Sequence, residues 1–283
     1  MPRSTALDAR IFQVGFQALL LAAGVLLRDF SLLPAQMALA VGAAAATQAF
    51  WLHRLRLAGI GYLSPLITGF GLSLLLRADN LWVHPLAAVL AISAKFLVRV
   101  RGKHVFNPAN LGIGGALLAL PGAWVSPGQW GNDVGLAVWL VALGATVAQR
   151  ARRDDAAWLF LAVFLGLVAA RLFLLGYPVD RAWDIFRHQA LNGALLLFAF
   201  FMISDPMTLP DRPAARRLHV ALVAAAGFAW QFLFYRPNGA LWALLCLAPL
   251  VPLWDRLWPG QGHNWHLNKP LQTVLAKSGK IDG

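Results

Sequence analysis

The chain contains no glutamate and a single cysteine, Cys246. One cysteine excludes an intramolecular disulfide, a CxxC metal site and a cluster ligated by several cysteines of this chain. Charge is scarce as well. Charged residues make up 13% of 283 residues, and all twelve acids are aspartates. An ordinary soluble domain carries about 25% charge. No Walker loop, no nucleophile elbow and no dinucleotide fingerprint after a strand is present. What the chain has instead is apolar sequence, 59% of its residues, with a mean hydropathy of +0.62. These values exclude a disordered chain, a coiled coil and a disulfide scaffold, and they point to a polytopic all-α membrane protein.

Apolar runs between charged punctuation predict ten transmembrane helices, at about 11–27, 31–52, 57–76, 81–98, 105–121, 134–149, 156–176, 187–204, 218–235 and 238–254. The net charge of +12 raises nucleic acid as a partner, but the placement of the cations argues against it. With the N-terminus inside, seventeen Lys and Arg fall on the cytoplasmic side. Five fall outside (Arg28, Arg77, Arg181, Arg187 and Arg236), and Lys95 and Arg171 lie within runs. This asymmetry follows the positive-inside rule and predicts cytoplasmic N- and C-termini, with the lipid bilayer rather than nucleic acid as partner. Arg3 and Arg10 ahead of an apolar stretch resemble a signal peptide, but no small-residue cleavage site precedes Arg28-Asp29, so the first run is read as a span. The expected organisation is one transmembrane domain over 1–258, followed by a polar cytoplasmic tail over 259–283. His263 and His266 in that tail lack enough partners for a metal site.

Runs three to five and eight to ten share a spacing. Ser64 stands thirteen residues before Arg77, and Asn192 thirteen before Asp205; Ser64 to Asn107 is 43 residues, and Asn192 to Asn238 is 46. Corresponding runs differ by five, an odd number, so the copies cross the membrane in opposite directions. A 5+5 inverted repeat follows, with halves at about 11–121 and 134–257 and a site between them.

Two constellations carry candidate chemistry. In Phe106-Asn107-Pro108-Ala109-Asn110-Leu111-Gly112, Pro108 fits the first turn of a helix and Asn107 its cap. The two amides suit a ligand with an apolar body and a polar edge, such as a flavin ring. The plain alternative is a capped helix whose glycines, Gly112 among them, serve packing. In Ser204-Asp205-Pro206-Met207-Thr208, a lone acid ends an apolar run. Asp205 suits an ion, a proton or a ligand hydroxyl, or else a simple Asp-Pro turn capped by Thr208. Both motifs fall at cytoplasmic ends of their runs and can build one site. Lys95 either snorkels to the headgroups or pairs with an anionic ligand or Asp205. The run Arg99–His104 is a topology determinant that can secondarily hold a phosphate near Asn107. Nothing in the histidine spacing demands a haem.

His104 to Gly112, Gly193 to Thr208 and Tyr235-Arg236-Pro237-Asn238-Gly239 with Asp255 together resemble the NqrB/RnfD family, the membrane subunits of ion-coupled NADH:quinone and ferredoxin:NAD oxidoreductases. The run ending Phe200-Phe201-Met202-Ile203-Ser204-Asp205-Pro206-Met207-Thr208 is similar to that family's AFFMATDPVT, and the resemblance covers about residues 60–257. It implies a urea/ammonium-transporter-like inverted repeat of ten helices in a bacterial-type inner membrane. It also implies a non-covalent riboflavin or FMN near Asn107, Pro108, Asn110 and Gly112, with Lys95, Asp205, Pro206 and Thr208 as further binding residues. The family's covalent FMN sits on a threonine in the loop after the Asn-Pro helix. Here the loop, Pro121 to Asp133, has none, and Gly144-Ala145-Thr146 lies inside run six and reads as helix packing. No covalent FMN is therefore expected. The expected function is an electron-transport subunit, at most one part of an ion-translocating oxidoreductase, working with a redox protein or other membrane subunits. A small-solute transporter on the same fold and an accessory membrane protein of a biosynthetic redox system stand as alternatives.

Overall fold

The computed structural model describes residues 8–27, 31–57 and 61–262. The segment with His263 and His266 lies outside the described residues, as do Arg3 and Arg28. Each of the ten apolar runs carries a helix. The first group is α1 (Ala9–Leu27), α2 (Pro34–Arg54), α3 (Leu63–Leu75), α4 (Val83–Leu97) and α5 (Pro108–Ala119). The second is α6 (Val134–Arg150), α7 (Asp154–Leu174), α8 (Val179–Ala190), α9 (Gly193–Leu197), α10 (Pro213–Phe228), α11 (Gly239–Leu247) and α12 (Leu250–Leu257). Four short strands punctuate them: β1 (Leu76–Ala78), β2 (Arg99–Val100), β3 (Lys103–His104) and β4 (Ala123–Val125). By length and composition α1, α2 and α7 can each cross a bilayer. The bent pairs α8 with α9, and α11 with α12, have the length and composition of a broken span or a re-entrant loop, which makes three to five candidate spans among the described residues. The protein is an all-α membrane protein.

The helix starts follow from the residues. α2, α5 and α10 begin at Pro34, Pro108 and Pro213, where a missing N–H costs nothing. The 50° bend between α11 and α12 falls at Pro249. α9 and α10 run on into π turns, Phe198–Met202 and Ala229–Leu233. The Ser204 hydroxyl donates to Phe200 O (2.5 Å), meeting a carbonyl that the wider turn leaves unpaired.

α5 has only 12 residues, a rise of about 18 Å against a hydrocarbon core of about 30 Å. The non-helical strand β1 is buried. β1 pairs antiparallel with β4, Leu76 opposite Val125 and Ala78 opposite Ala123. Such backbone survives at membrane depth only where the protein meets its polar groups. Arg77, read from sequence as a loop cation, does this from a fully buried position. Its Nη1 donates to Ser73 O (2.8 Å) and Leu76 O (2.7 Å), and its Nε to Gln129 Oε1 (2.7 Å). The Trp130 indole donates to Leu74 O (3.0 Å). A cation and an indole thus cap the carbonyl end of α3, where the helix dipole is negative.

In the first group α2 packs on α3 and α4, α4 on α5, and α1 on α3. In the second α7 packs on α10 and α8, α10 on α11, and α6 on α9. The groups meet where α1 lies against α6 and α5 against α11. Two glycines set the close approaches. A Cβ on Gly112 would sit 2.7 Å from Ala87 O of α4, and one on Gly239 would strike Gly227 O of α10. α8 has no buried residue, with Val179 and Trp183 exposed among Asp180, Arg181, Asp184 and Arg187. The apolar runs leave most of this segment to a loop; its amphipathic pattern is that of a helix lying in an interface.

Candidate functional site

Asn107 is the cap of α5, in extended backbone before Pro108. Its Oδ1 accepts from Asn110 N (3.0 Å), so the amide orientation is fixed. That turns Nδ2 toward the end of the π turn, where it donates to Met202 O (3.4 Å) and to Asp205 Oδ2 (3.3 Å). Asp205 folds as an Asp-Pro turn: its Oδ1 accepts from Met207 N (3.0 Å), and its carbonyl accepts from the Thr208 hydroxyl (3.3 Å). Two motifs 98 positions apart are therefore in hydrogen-bond contact. His104 Nε2 stands 3.6 Å from Asp205 Oδ2, too long for a hydrogen bond.

His104, Asn107 and Asp205 line a cavity of about 150 Å³, together with Gln17 and Arg10 of α1, Ser64 and Thr68 of α3, Lys95 of α4 and Arg99 of β2. Lys95 does not snorkel. Its Nζ donates to Ser64 Oγ (2.7 Å) and Gln48 Oε1 (3.0 Å), and Gln48 in turn donates to Gly61 O (2.9 Å). Arg10 is paired with Asp8 (2.6 Å), and Arg99 donates to Gly102 O. Burial pulls the Arg99 guanidinium below its ordinary value. Two polar atoms of residues that line the cavity, Gln17 Oε1 and His104 Nε2, are buried with no hydrogen-bond partner. Arg10, Lys95, Arg99, Asn107 and Asp205 stand among apolar residues on the lining, so the cavity suits a ligand with an apolar body and a polar edge.

The other sequence candidates lie elsewhere. Pro108 and Pro206 line the cavity, while Asn110, Gly112 and Thr208 do not. Asn110 Nδ2 donates to Leu241 O (3.1 Å) and ties α5 to α11. Gly112 is spent on the α4 contact. Lys103 is used in a clasp, donating to Asp211 Oδ1 (2.9 Å), Asp255 Oδ2 (2.8 Å) and Leu209 O (2.6 Å). This clasp fixes the β2–β3 hairpin that carries Arg99 and His104. Thr146 donates to Ala142 O within α6 (2.8 Å), and Gly144 lies under Phe200. Sequence reasoning misses Gln17 and Gln48. Their signal is a glutamine inside an otherwise apolar run.

A second cavity, of about 260 Å³, is lined by Gln189, Asn192, Gln231 and Asn238 with Phe164, Phe198 and Leu75. Among the described residues, none that lines it is charged. Asn192 Oδ1 caps α9 by accepting from Leu195 N (3.1 Å), as Asn107 caps α5. Leu75 lines both cavities.

No family model matches the chain. Among curated proteins, it is 31% identical over 99 residues to the RnfD component of the ion-translocating oxidoreductase complex of Tolumonas auensis, a match covering 35% of this chain and 28% of that one. It is 32% identical over 129 residues to the component of the same name in Vibrio vulnificus, covering 45% of this chain and 34% of that one. The chain thus spans about a third of the length of the curated relatives it matches. These relatives are RnfD proteins, consistent with the resemblance to the NqrB/RnfD family read from the motifs.

Proposed function

We propose that the protein is a membrane electron-transport subunit that holds a non-covalent flavin in the charged cavity and works within an ion-translocating oxidoreductase assembly. The observation that carries this reading is the contact of Asn107 with Asp205 on a cavity that Gln17, Lys95 and Arg99 also line. A flavin edge offers both donors and acceptors, so the residues present fit the group. When bound, it supplies the electron-transfer chemistry, and the chain supplies position and charge. Asn107 presents its amide under the restraint of the α5 cap. Gln17 accepts from a ring N–H, and Asp205 with Lys95 binds hydroxyls or a cation.

The architecture in this reading is ten spans in a 5+5 inverted repeat, one domain over 1–258 with a polar tail over 259–283, and both termini cytoplasmic. The packing supports it: α2 on α4 is matched by α7 on α10, α4 on α5 by α10 on α11, and α1 on α3 by α6 on α9. Other membrane subunits are the partners, and the electron donor is another protein or a diffusible molecule, because the loops are too short for a nucleotide site. Purification in mild detergent tests the reading. A flavin spectrum, with the flavin released on denaturation, is expected, and a colourless protein overturns it. Leu75, shared by the two cavities, favours a second reading as a small-solute pathway. Uptake into proteoliposomes without flavin or reductant would support that instead.

A further inference from the structure

α12 bends away from α11 by 50° at Pro249, and its buried residues, Val251 and Asp255, stand one turn apart. The exposed stripe of α11 that includes Cys246 continues past Pro249 to Leu253, Leu257 and Trp258. Trp258 stacks on Trp254 with ring centres 5.4 Å apart, and indoles favour the headgroup level of a bilayer. The charges around this helix are sorted by depth. Asp255 is buried and Asp211 half-buried, and both bind Lys103. Arg101, Arg212 and Arg256 are exposed. Arg101 Nη1 donates to Asp255 O (3.1 Å), next to Arg256. Asp211 N donates to Asp255 Oδ1 (2.8 Å), and a Cβ on Gly260 would sit 2.6 Å from Arg212 N, so Arg212 stands near the end of the same helix. It is also at the positive end of α10. Three arginines thus gather around one helix end, while the acids between them are turned inward onto a lysine. α8 is the contrast. It is bent by 45° from its neighbour and exposes Val179 and Trp183, but its exposed Asp180 and Asp184 offset Arg181 and Arg187.

We infer that α12 lies in the membrane interface and binds an anionic phospholipid, with the acyl chains along Leu253, Leu257 and Trp258 and the phosphate held by Arg101, Arg212 and Arg256. An amphipathic helix with cations beside its apolar stripe is built for such a surface, and an arginine fork matches phosphate oxygens. The exposed leucines next to the arginines favour lipid over an acidic protein. The inference is independent of the flavin reading. Lipid-depleted protein in neutral detergent is titrated with phosphatidylglycerol or phosphatidylcholine, and bound lipid is counted by native mass spectrometry. Phosphatidylglycerol should bind about tenfold or more tighter, because the choline of the other lipid offsets its phosphate. Arg256→Gln, a change at an exposed side chain, should weaken phosphatidylglycerol by about fivefold, whereas Arg187→Gln on α8 should change it by less than about twofold. Added salt should weaken it as well. Equal affinity for the two lipids, or equal loss in Arg256→Gln and Arg187→Gln, overturns the inference. Inorganic phosphate, compared with chloride at equal ionic strength, should not displace the lipid; displacement would assign the arginines to free phosphate and overturn it. A polyaspartate peptide that binds through Arg256 and resists phosphatidylglycerol would make this face a protein-docking surface and overturn it too.

Discussion

The two cavities are built alike and differ in charge. Each lies beside a short helix capped by an asparagine, Asn107 on α5 and Asn192 on α9, and each includes Leu75 in its wall. One adds Lys95, Arg99, His104 and Asp205; the other adds only amides, Gln189, Gln231 and Asn238. The scaffold therefore does not dictate the chemistry. A few side chains around the helix ends do, and of the two cavities one has the charged groups that call for a charged or polar ligand.

The largest effect that sharpens this contrast concerns the clasp. Lys103→Met leaves Asp211 and Asp255 facing each other, mostly buried, and should cost about 3–5 kcal/mol. Arg236→Met, an exposed change near the amide cavity, should stay within about 0.5 kcal/mol. Denaturant titration in detergent compares them, and equal costs would break the contrast. Next come the glycines, where the two halves should behave alike. Gly112→Ala and Gly239→Ala each drive a methyl into backbone of the neighbouring helix and should cost about 1–3 kcal/mol, read from the same titration; a neutral result at either would mean that close packing is not what fixes that helix pair.

Much of the fold was legible because hydropathy reports directly on burial in lipid. All ten apolar runs carry helices, and Asn107-Pro108 marks a helix start as its chemistry requires. Less legible was whatever depends on what a residue meets after folding. Arg77 looks like any loop cation until β1 and β4 bury it against the end of α3. Lys95 looks like a snorkelling side chain until Gln48 and Ser64 reach it from α2 and α3. The 179–190 helix is too polar to register as a span, and its amphipathic period is carried by charges that read as a loop. For the site, Asn107 and Asp205 stood out as polar residues at the ends of apolar runs, but their contact is tertiary. Gln17 carries no charge and sits on one face of α1, so only the structure reveals that this face borders a cavity.

A smaller effect isolates the unmet acceptor. Gln17→Leu removes a buried carbonyl that lacks a donor, so ligand-free protein should be unchanged or more stable by about 1 kcal/mol. Flavin affinity should fall at the same time. A loss of ligand-free stability would show that Gln17 serves the fold rather than the cavity.

The most direct measurement compares the two caps. Asn107→Ala and Asn192→Ala each delete one helix cap, worth about 1 kcal/mol of stability, and Asn107→Ala also loses the bonds to Met202 O and Asp205 Oδ2. Flavin per polypeptide, measured on the purified variants after denaturation, should then drop sharply for Asn107→Ala and stay at the wild-type value for Asn192→Ala. Equal flavin content in the two variants, or loss confined to Asn192→Ala, would contradict the assignment of the flavin to the charged cavity.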